Sequence, residues 1–178
     1  YELAEEIYAR APDTIVLLSD QPTMFDDVFS LAVADPYVCS LEEVGDLGYH
    51  KKYDPDFAVI DRLQRTLRQK GSPLTMTTDE HLNFSSAVPI ECLTALASTA
   101  RLVPFAPAKR LESKEYFAFG QALRNALAET KKRIAIVSAG DLAQTLTEFS
   151  PGGFHARGQE YDAAIQTLVT EKNSVGLM

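Results

Sequence analysis

Thr14-Ile15-Val16-Leu17-Leu18-Ser19 is an unbroken apolar run closed by a polar residue. A strand with one face in water alternates apolar and polar side chains, so this run predicts a strand covered on both faces. Arg133-Ile134-Ala135-Ile136-Val137-Ser138 has the same form and predicts a second buried strand. Between them, Asp54-Pro55 reads as a helix cap and first helical residue. Val59, Ile60, Leu63 and Leu67 follow at helical spacing, and Gly71 closes the helix. Ser113 is placed to cap another helix, with an inner face of Tyr116, Phe119, Leu123, Ala126 and Leu127. Strands alternating with helices predict an α/β fold: a central, mostly parallel or mixed sheet with helices on both faces.

The remaining segments read more weakly. Leu3, Ala4, Ile7 and Tyr8 form a short helical stripe ended by Pro12. Residues 20–48 are mixed, with one short strand expected at 37–40. Residues 74–77 read as a strand and 89–96 as a helix. Residues 102–106 read as a strand whose Pro104 marks an edge or a bulge. Gly152-Gly153 marks a loop, and Tyr161, Ile165, Leu168 and Val169 line a last helix. No repeat, low-complexity segment or linker interrupts the chain, so residues 1–178 are expected to form a single domain.

The chain has 25 acidic and 17 basic side chains, for a net charge of −8. That balance repels phosphate backbones and argues against nucleic acid as a partner. No apolar run approaches the roughly 18 residues of a membrane helix, and no secretory segment opens the chain, so a cytoplasmic location is expected. Cys39 and Cys92 lack metal-ligand spacing. Lys131-Lys132-Arg133 is expected at a helix C-terminus, where it would complement the helix dipole.

Open α/β sheets hold ligands beyond the carboxyl ends of their strands. The two strong strands end in Ser19-Asp20-Gln21 and Ser138-Ala139-Gly140-Asp141, and a weaker one runs into Thr78-Asp79-Glu80-His81. Spacing alone allows Asp20, Asp141 and His81 to converge on one rim. An Asp after a strand is more often a turn or cap residue, and Asp141 is expected to cap the turn that follows it. His50, His81 and His155 sit in polar stretches and read as surface residues. No phosphate loop, dinucleotide fingerprint, nucleophile elbow or zinc-protease motif is present.

The order of segments carries a resemblance. Ala139-Gly140-Asp141-Leu142-Ala143-Gln144, then Gly152-Gly153-Phe154, then Gly158-Gln159-Glu160-Tyr161-Asp162, resemble S-G-D-L-S-H … G-Y-x-P-x-G-x-E-F-D. That stretch belongs to class III extradiol ring-cleavage dioxygenases, in the catalytic B-subunit family of protocatechuate 4,5-dioxygenase and Memo-like type. Pro12 to Gln21 is similar to the family's P-D-T-I-V-V-I-S-P-H, and Leu82 to Ile90 to its L-D-H-G-x-x-V-P-L. Tyr116-Phe117-Ala118-Phe119-Gly120, followed by Ala122-Leu123, is similar to its Y-x-x-G-x-A-L. The resemblance implies a non-haem Fe(II) in a two-His, one-carboxylate site, a further acid/base His, and opening of a catechol ring.

At those motif positions the histidines are replaced. Gln21 stands for the His of S-P-H, Asn83-Phe84 for the D-H pair, and Gln144 for the last His beside Asp141. Glutamine does not take up a proton near neutral pH, and phenylalanine has no lone pair to offer a metal. Set against the family, the chain also begins after its first strand, with an early metal-ligand His, and ends before its metal-binding Glu. The resemblance therefore implies a non-catalytic homologue without a cofactor. It would act as a homo-oligomer, as the partner of an active paralogous subunit, or as a binder of a small aromatic or acidic ligand, with no membrane or nucleic-acid role. Two alternatives stay open. One is an active Fe(II) catechol dioxygenase, or another metal enzyme, using Asp20, His81 and Asp141; the other is an unrelated α/β hydrolase or ligand-binding domain.

Overall fold

A computed structural model of the chain describes residues 2–95 and 99–177. They fall into two compact units, Tyr1–Ala139 and Gly140–Met178.

The first unit is built on a five-stranded sheet. β1 (Thr14–Leu18) lies between β7 (Arg101–Ala106) and β8 (Ile134–Ser138), parallel to both. β2 (Phe29–Ala32) meets β7 antiparallel and carries β5 (Leu74–Thr77) on its outer side, parallel to itself. The sheet is therefore mixed. Successive side chains of β1 point to opposite faces. Val16 joins a core with Val59, Ile60, Leu63 and Leu67 of α2 (Phe57–Gln69) and Phe119, Leu123, Ala126 and Leu127 of α4 (Ser113–Ala128). Ile15 and Leu17 enter a second core with Ala87 and Ile90 of α3 (Phe84–Thr94). Tyr37, Cys39 and Tyr53 complete that second core from a small sheet of β3 (Tyr37–Leu41), β4 (Asp46–Tyr53) and β6 (His81–Leu82). Helices cover both faces, as expected.

Several boundaries differ from expectation for identifiable reasons. Asp56, not Asp54, caps α2, because Leu102 N donates to Asp54 O and Asp56 N to Leu102 O. That pair of bonds holds residues 54–56 extended beside β7, so the helix starts later. Glu112 replaces Ser113 as the cap of α4, its backbone N donating to Glu115 Oε2 at 2.9 Å. α3 starts at Phe84 and carries Pro89 inside it; Leu96, where the expected helix would end, lies outside the described residues.

Pro104 does not sit on an edge, nor does it break register: β7 is an interior strand paired with β1 from Thr14↔Arg101 to Leu18↔Phe105. Arg101 N donates toward Asp13 and Phe105 O accepts from Ser19, whereas the Leu102 backbone bonds on the opposite side. By alternation Pro104 N also faces away from β1, toward β2, whose ladder with β7 begins only at Phe105 and Ala106. β8 ends the sheet, and Ile136 is 51% exposed there, so the second strong strand is half-covered rather than buried. α1 (Glu2–Arg10) buries only Ala4 of its expected stripe.

The amino ends of the strands are held by charge. Asp56 is fully buried and accepts from Val59 N, Thr14 Oγ1 and Lys132 Nζ. Arg133 forks onto Asp13, with its backbone N 2.8 Å from Oδ2 and Nη2 2.9 Å from Oδ1. Lys132 and Arg133 therefore serve these carboxylates instead of a helix dipole. Burial alone would raise the Asp56 carboxyl, but the bonds from Lys132, Thr14 and Val59 hold it below its ordinary 3.8. Hydrogen bonds from Arg133 lower Asp13 to about 2.

Replacing Asp56 by Ala is expected to cost about 2–3 kcal/mol in urea unfolding, because it removes a cap and leaves Lys132 and Thr14 without their acceptor. The pH dependence has a definite sign. Both folded-state values lie below those of the unfolded chain, so the stabilisation is complete above the ordinary 3.8 and fades as pH falls below it, for Asp13 down to about 2. Urea midpoints measured between pH 6 and pH 2 should fall across that window, and the fall should be smaller in Asp56→Ala.

Candidate functional site

The chain leaves the carboxyl end of β1 through Ser19-Asp20-Gln21-Pro22. Ser19 N donates to Phe105 O at 3.1 Å, which prolongs the strand ladder by one residue and fixes the Ser19 side chain inward. There it meets the first turn of α3. Ser19 Oγ and Ser86 Oγ lie 2.8 Å apart, and Gln21 Nε2 donates to both, at 2.8 Å and 2.7 Å. Ser19, Gln21 and Ser86 are all buried, with Gln21 only 4% exposed. The three side chains form a closed polar knot, while Gln21 Oε1 has no partner among the described residues. Asp20 points to solvent beside them.

Asn83 is the cap residue of α3, and its carbonyl accepts from Ser86 N and Ala87 N. Its Oδ1 is buried without a partner among the described residues, as are Asp79 Oδ2 and Thr77 Oγ1. Asp79 Oδ1 accepts from Thr23 Oγ1 at 2.9 Å, linking the loop after β5 to the loop after β1. Phe84 is the first helical residue and is 40% exposed. His81 lies on β6, exposed, and lines a shallow cavity of about 210 Å³ with Asn83, Ser40, Glu42 and Glu43. Tyr49 and Lys51 of β4 both donate to Glu91 Oε2 of α3, at 2.7 and 3.0 Å. Burial, reinforced by the Glu91 bond, pushes the Tyr49 hydroxyl above its ordinary range. Sequence reasoning misses this link, since no local pattern joins residues 42 positions apart.

The second unit holds the remaining motif positions. Gln144 Nε2 donates to Asp141 Oδ2 at 2.9 Å, and both residues are exposed. The expected backbone cap by Asp141 is replaced by this side-chain pair. The stronger tie comes from Asp162 on α5 (Gly158–Thr170), whose Oδ1 accepts from Ala143 N at 2.7 Å. Gly152 N donates to Gln144 O and His155 N to Thr145 O. A Cβ on Gly158 would meet Thr145 Oγ1 at 2.7 Å, and one on Gly152 would meet Gln144 O at 2.9 Å. Residues 141–147, the double-Gly loop and the start of α5 are thus one interlocked structure. The Tyr161 and Val169 side chains stay exposed, although helical spacing places them on the expected inner face.

The metal centre implied by the resemblance does not fit these residues. Gln21 offers a neutral amide oxygen where the motif has an imidazole, its amide hydrogens being given to two serines, and Phe84 has no donor atom. Among the described residues, no group of three or more His, Cys, Asp or Glu side chains is placed to hold a metal ion.

The family model described as the catalytic LigB subunit of aromatic ring-opening dioxygenase matches residues 1–178. The chain belongs to this family. The mixed α/β sheet agrees with the LigB fold, and the reading as an unrelated α/β protein falls away. Among curated proteins, protein CA_C1420 of Clostridium acetobutylicum is 21% identical over 184 residues, an alignment covering 98% of this chain and 39% of the relative. The chain spans about two fifths of the length of that relative. Among the described residues, no helix is long and apolar enough to cross a membrane.

The Asp162–Ala143 bond can be tested against the Asp141–Gln144 pair. Asp162→Ala should cost about 1–2 kcal/mol of local stability, whereas Asp141→Ala should change it by less than about 0.5. Hydrogen exchange at the Ala143 amide measures this, and only Asp162→Ala should accelerate it strongly.

Proposed function

We propose that this chain is a non-catalytic LigB-family member, keeping the family scaffold for binding a ligand or a partner subunit instead of for opening aromatic rings. The observation that carries this reading is the knot at the end of β1. Gln21 stands where the family motif has His, and its amide is held by Ser19 Oγ and Ser86 Oγ inside the protein. A histidine there could give a lone pair to iron or shuttle a proton. A glutamine amide does not take up a proton near neutral pH, and the one lone-pair atom it offers a metal is a neutral carbonyl oxygen, which suits iron less well than imidazole. Asn83 and Phe84 extend the same change: one puts a neutral amide and the other an apolar ring where the motif has an acid and an imidazole. Gln144 turns to its own neighbour Asp141.

The distribution of exposed apolar side chains supports the partner-binding form of this reading. Exposed apolar side chains, among them Phe149, Phe154, Tyr161 and Val175, are concentrated in residues 140–178. Apolar surface gathered into one patch is what an association face requires.

Anaerobic dialysis against Fe(II), followed by metal analysis and a catechol ring-opening assay, tests the proposal. The expected result is well under one equivalent of iron and no ring-opened product. Stoichiometric iron together with turnover would overturn it. Gln21→His alone is expected not to create activity, because the other motif positions still lack imidazole.

A further inference from the structure

We propose that the cavity at the amino ends of β1, β7 and β8 binds a small organic carboxylate. This goes beyond the reading above and uses none of its residues. The three strands run parallel and in register, with Thr14 opposite both Arg101 and Ile134. Asp13, Arg101, Lys132 and Arg133 therefore gather at one end of the sheet, while Ser19 and Gln21 lie at the other end of β1. A cavity of about 300 Å³ opens there, lined by these four residues and by Ile7, Tyr8, Ala11 and Pro12 on one wall and Thr99 on another. That volume suits a ligand of one small ring or a short chain.

The charges of the cavity are unevenly committed. Arg133 is engaged by Asp13, and its Nη1 also reaches Arg10 O at the carboxyl end of α1, offsetting the negative pole of that helix. Lys132 gives one hydrogen to the buried Asp56 and keeps two others, its position fixed by an acceptor that cannot move into solvent. Arg101 makes no ion pair and no side-chain hydrogen bond among the described residues, although it is the first residue of an interior strand. Three cations face two carboxylates, Asp13 and Asp56, which leaves one positive charge in a chain of net charge −8. One surplus charge on a guanidinium matches a monoanion, and its planar fork matches the two oxygens of a carboxylate.

The other wall is apolar. Ile7 and Tyr8 belong to the last turn of α1, and the Tyr8 ring is left 61% exposed. Ala11 leaves the helix at φ +41, a left-handed conformation that only one other non-glycine residue adopts among those described. Its N–H donates to Ile7 O at 2.9 Å and holds that turn, which sets Pro12 and Tyr8 beside the cations. Uncommon backbone of this kind concentrates at binding sites. A carboxylate at Arg101 and Lys132 with its body on Tyr8 and Pro12 uses both walls.

Benzoate titrated into the full chain at low ionic strength, followed by NMR of the backbone amides, tests the site, with benzyl alcohol as the neutral control. Saturable shifts at Ala11, Asp13 and Arg101 are expected with benzoate alone. Arg101→Gln should weaken the affinity by about tenfold and Arg101→Lys by less. Tyr8→Ala, on the exposed face of α1, should weaken it too and serves if Arg101→Gln fails to fold. Absence of saturation, equal shifts with benzyl alcohol, or unchanged affinity in the folded variants would overturn the proposal. The titration uses metal-free protein, so its outcome is separate from any result on iron or ring opening.

Discussion

Everything in the first unit is hung on β1. Its backbone is paired on both sides, and Ile15, Val16 and Leu17 are buried to 1% exposure or less. Alternation along five residues sends Val16 into the core with α2 and α4, and Ile15 and Leu17 into the core with α3 and the small sheet. A one-residue slip would exchange the two sets, so both cores specify the same register. That register then fixes what lies at either end. At the carboxyl end it points Ser19 and Gln21 at Ser86. At the amino end it sets Thr14 against Asp56, and through Asp56 positions Lys132.

The polar knot and the charged end stabilise by different means. In the knot, an amide donates to two hydroxyls and carries no charge, so its geometry should hold across the pH range in which proteins stay folded. The unpartnered Gln21 Oε1 opposes that stabilisation, because a buried acceptor without a donor costs free energy. At the charged end, Asp56 gains from Lys132 only because Thr14 and Val59 also satisfy it; a buried carboxylate with one partner would not recover its desolvation. The knot therefore defines a shape, and the charged end couples folding to pH.

Much of the fold is legible in the sequence because its signals are local. The apolar run at 14–18, the stripe of Val59, Ile60, Leu63 and Leu67, and the left-handed Gly71 all stand in the structure as read. β2 and β4 carry no such signal. Phe29-Ser30-Leu31-Ala32 is too short to show a period, and Asp46 to Tyr53 is largely polar and exposed; both are strands because distant partners pair with them. Pro104 misleads for a similar reason, since an edge rule ignores which side of an interior strand lacks a neighbour. The site divides in the same way. Motif order locates Gln21, Asn83, Phe84, Asp141 and Gln144, but what holds Gln21, the buried one, is a contact of tertiary structure. Ser86 lies 65 residues beyond Gln21, and no spacing rule connects them. Asp162 is in view as part of a motif, and only the fold shows that it binds the backbone of the other motif at Ala143.

The central claim is that the Gln21 amide, held through its Nε2 by two serines, does not serve as an iron ligand. NMR of the Gln21 side-chain NH₂ during anaerobic addition of Fe(II) tests it most directly, because a paramagnetic ion broadens signals of nearby protons. The account predicts two separate, slowly exchanging NH₂ signals that stay sharp as iron is added. Selective loss of those signals at one equivalent of iron would contradict it.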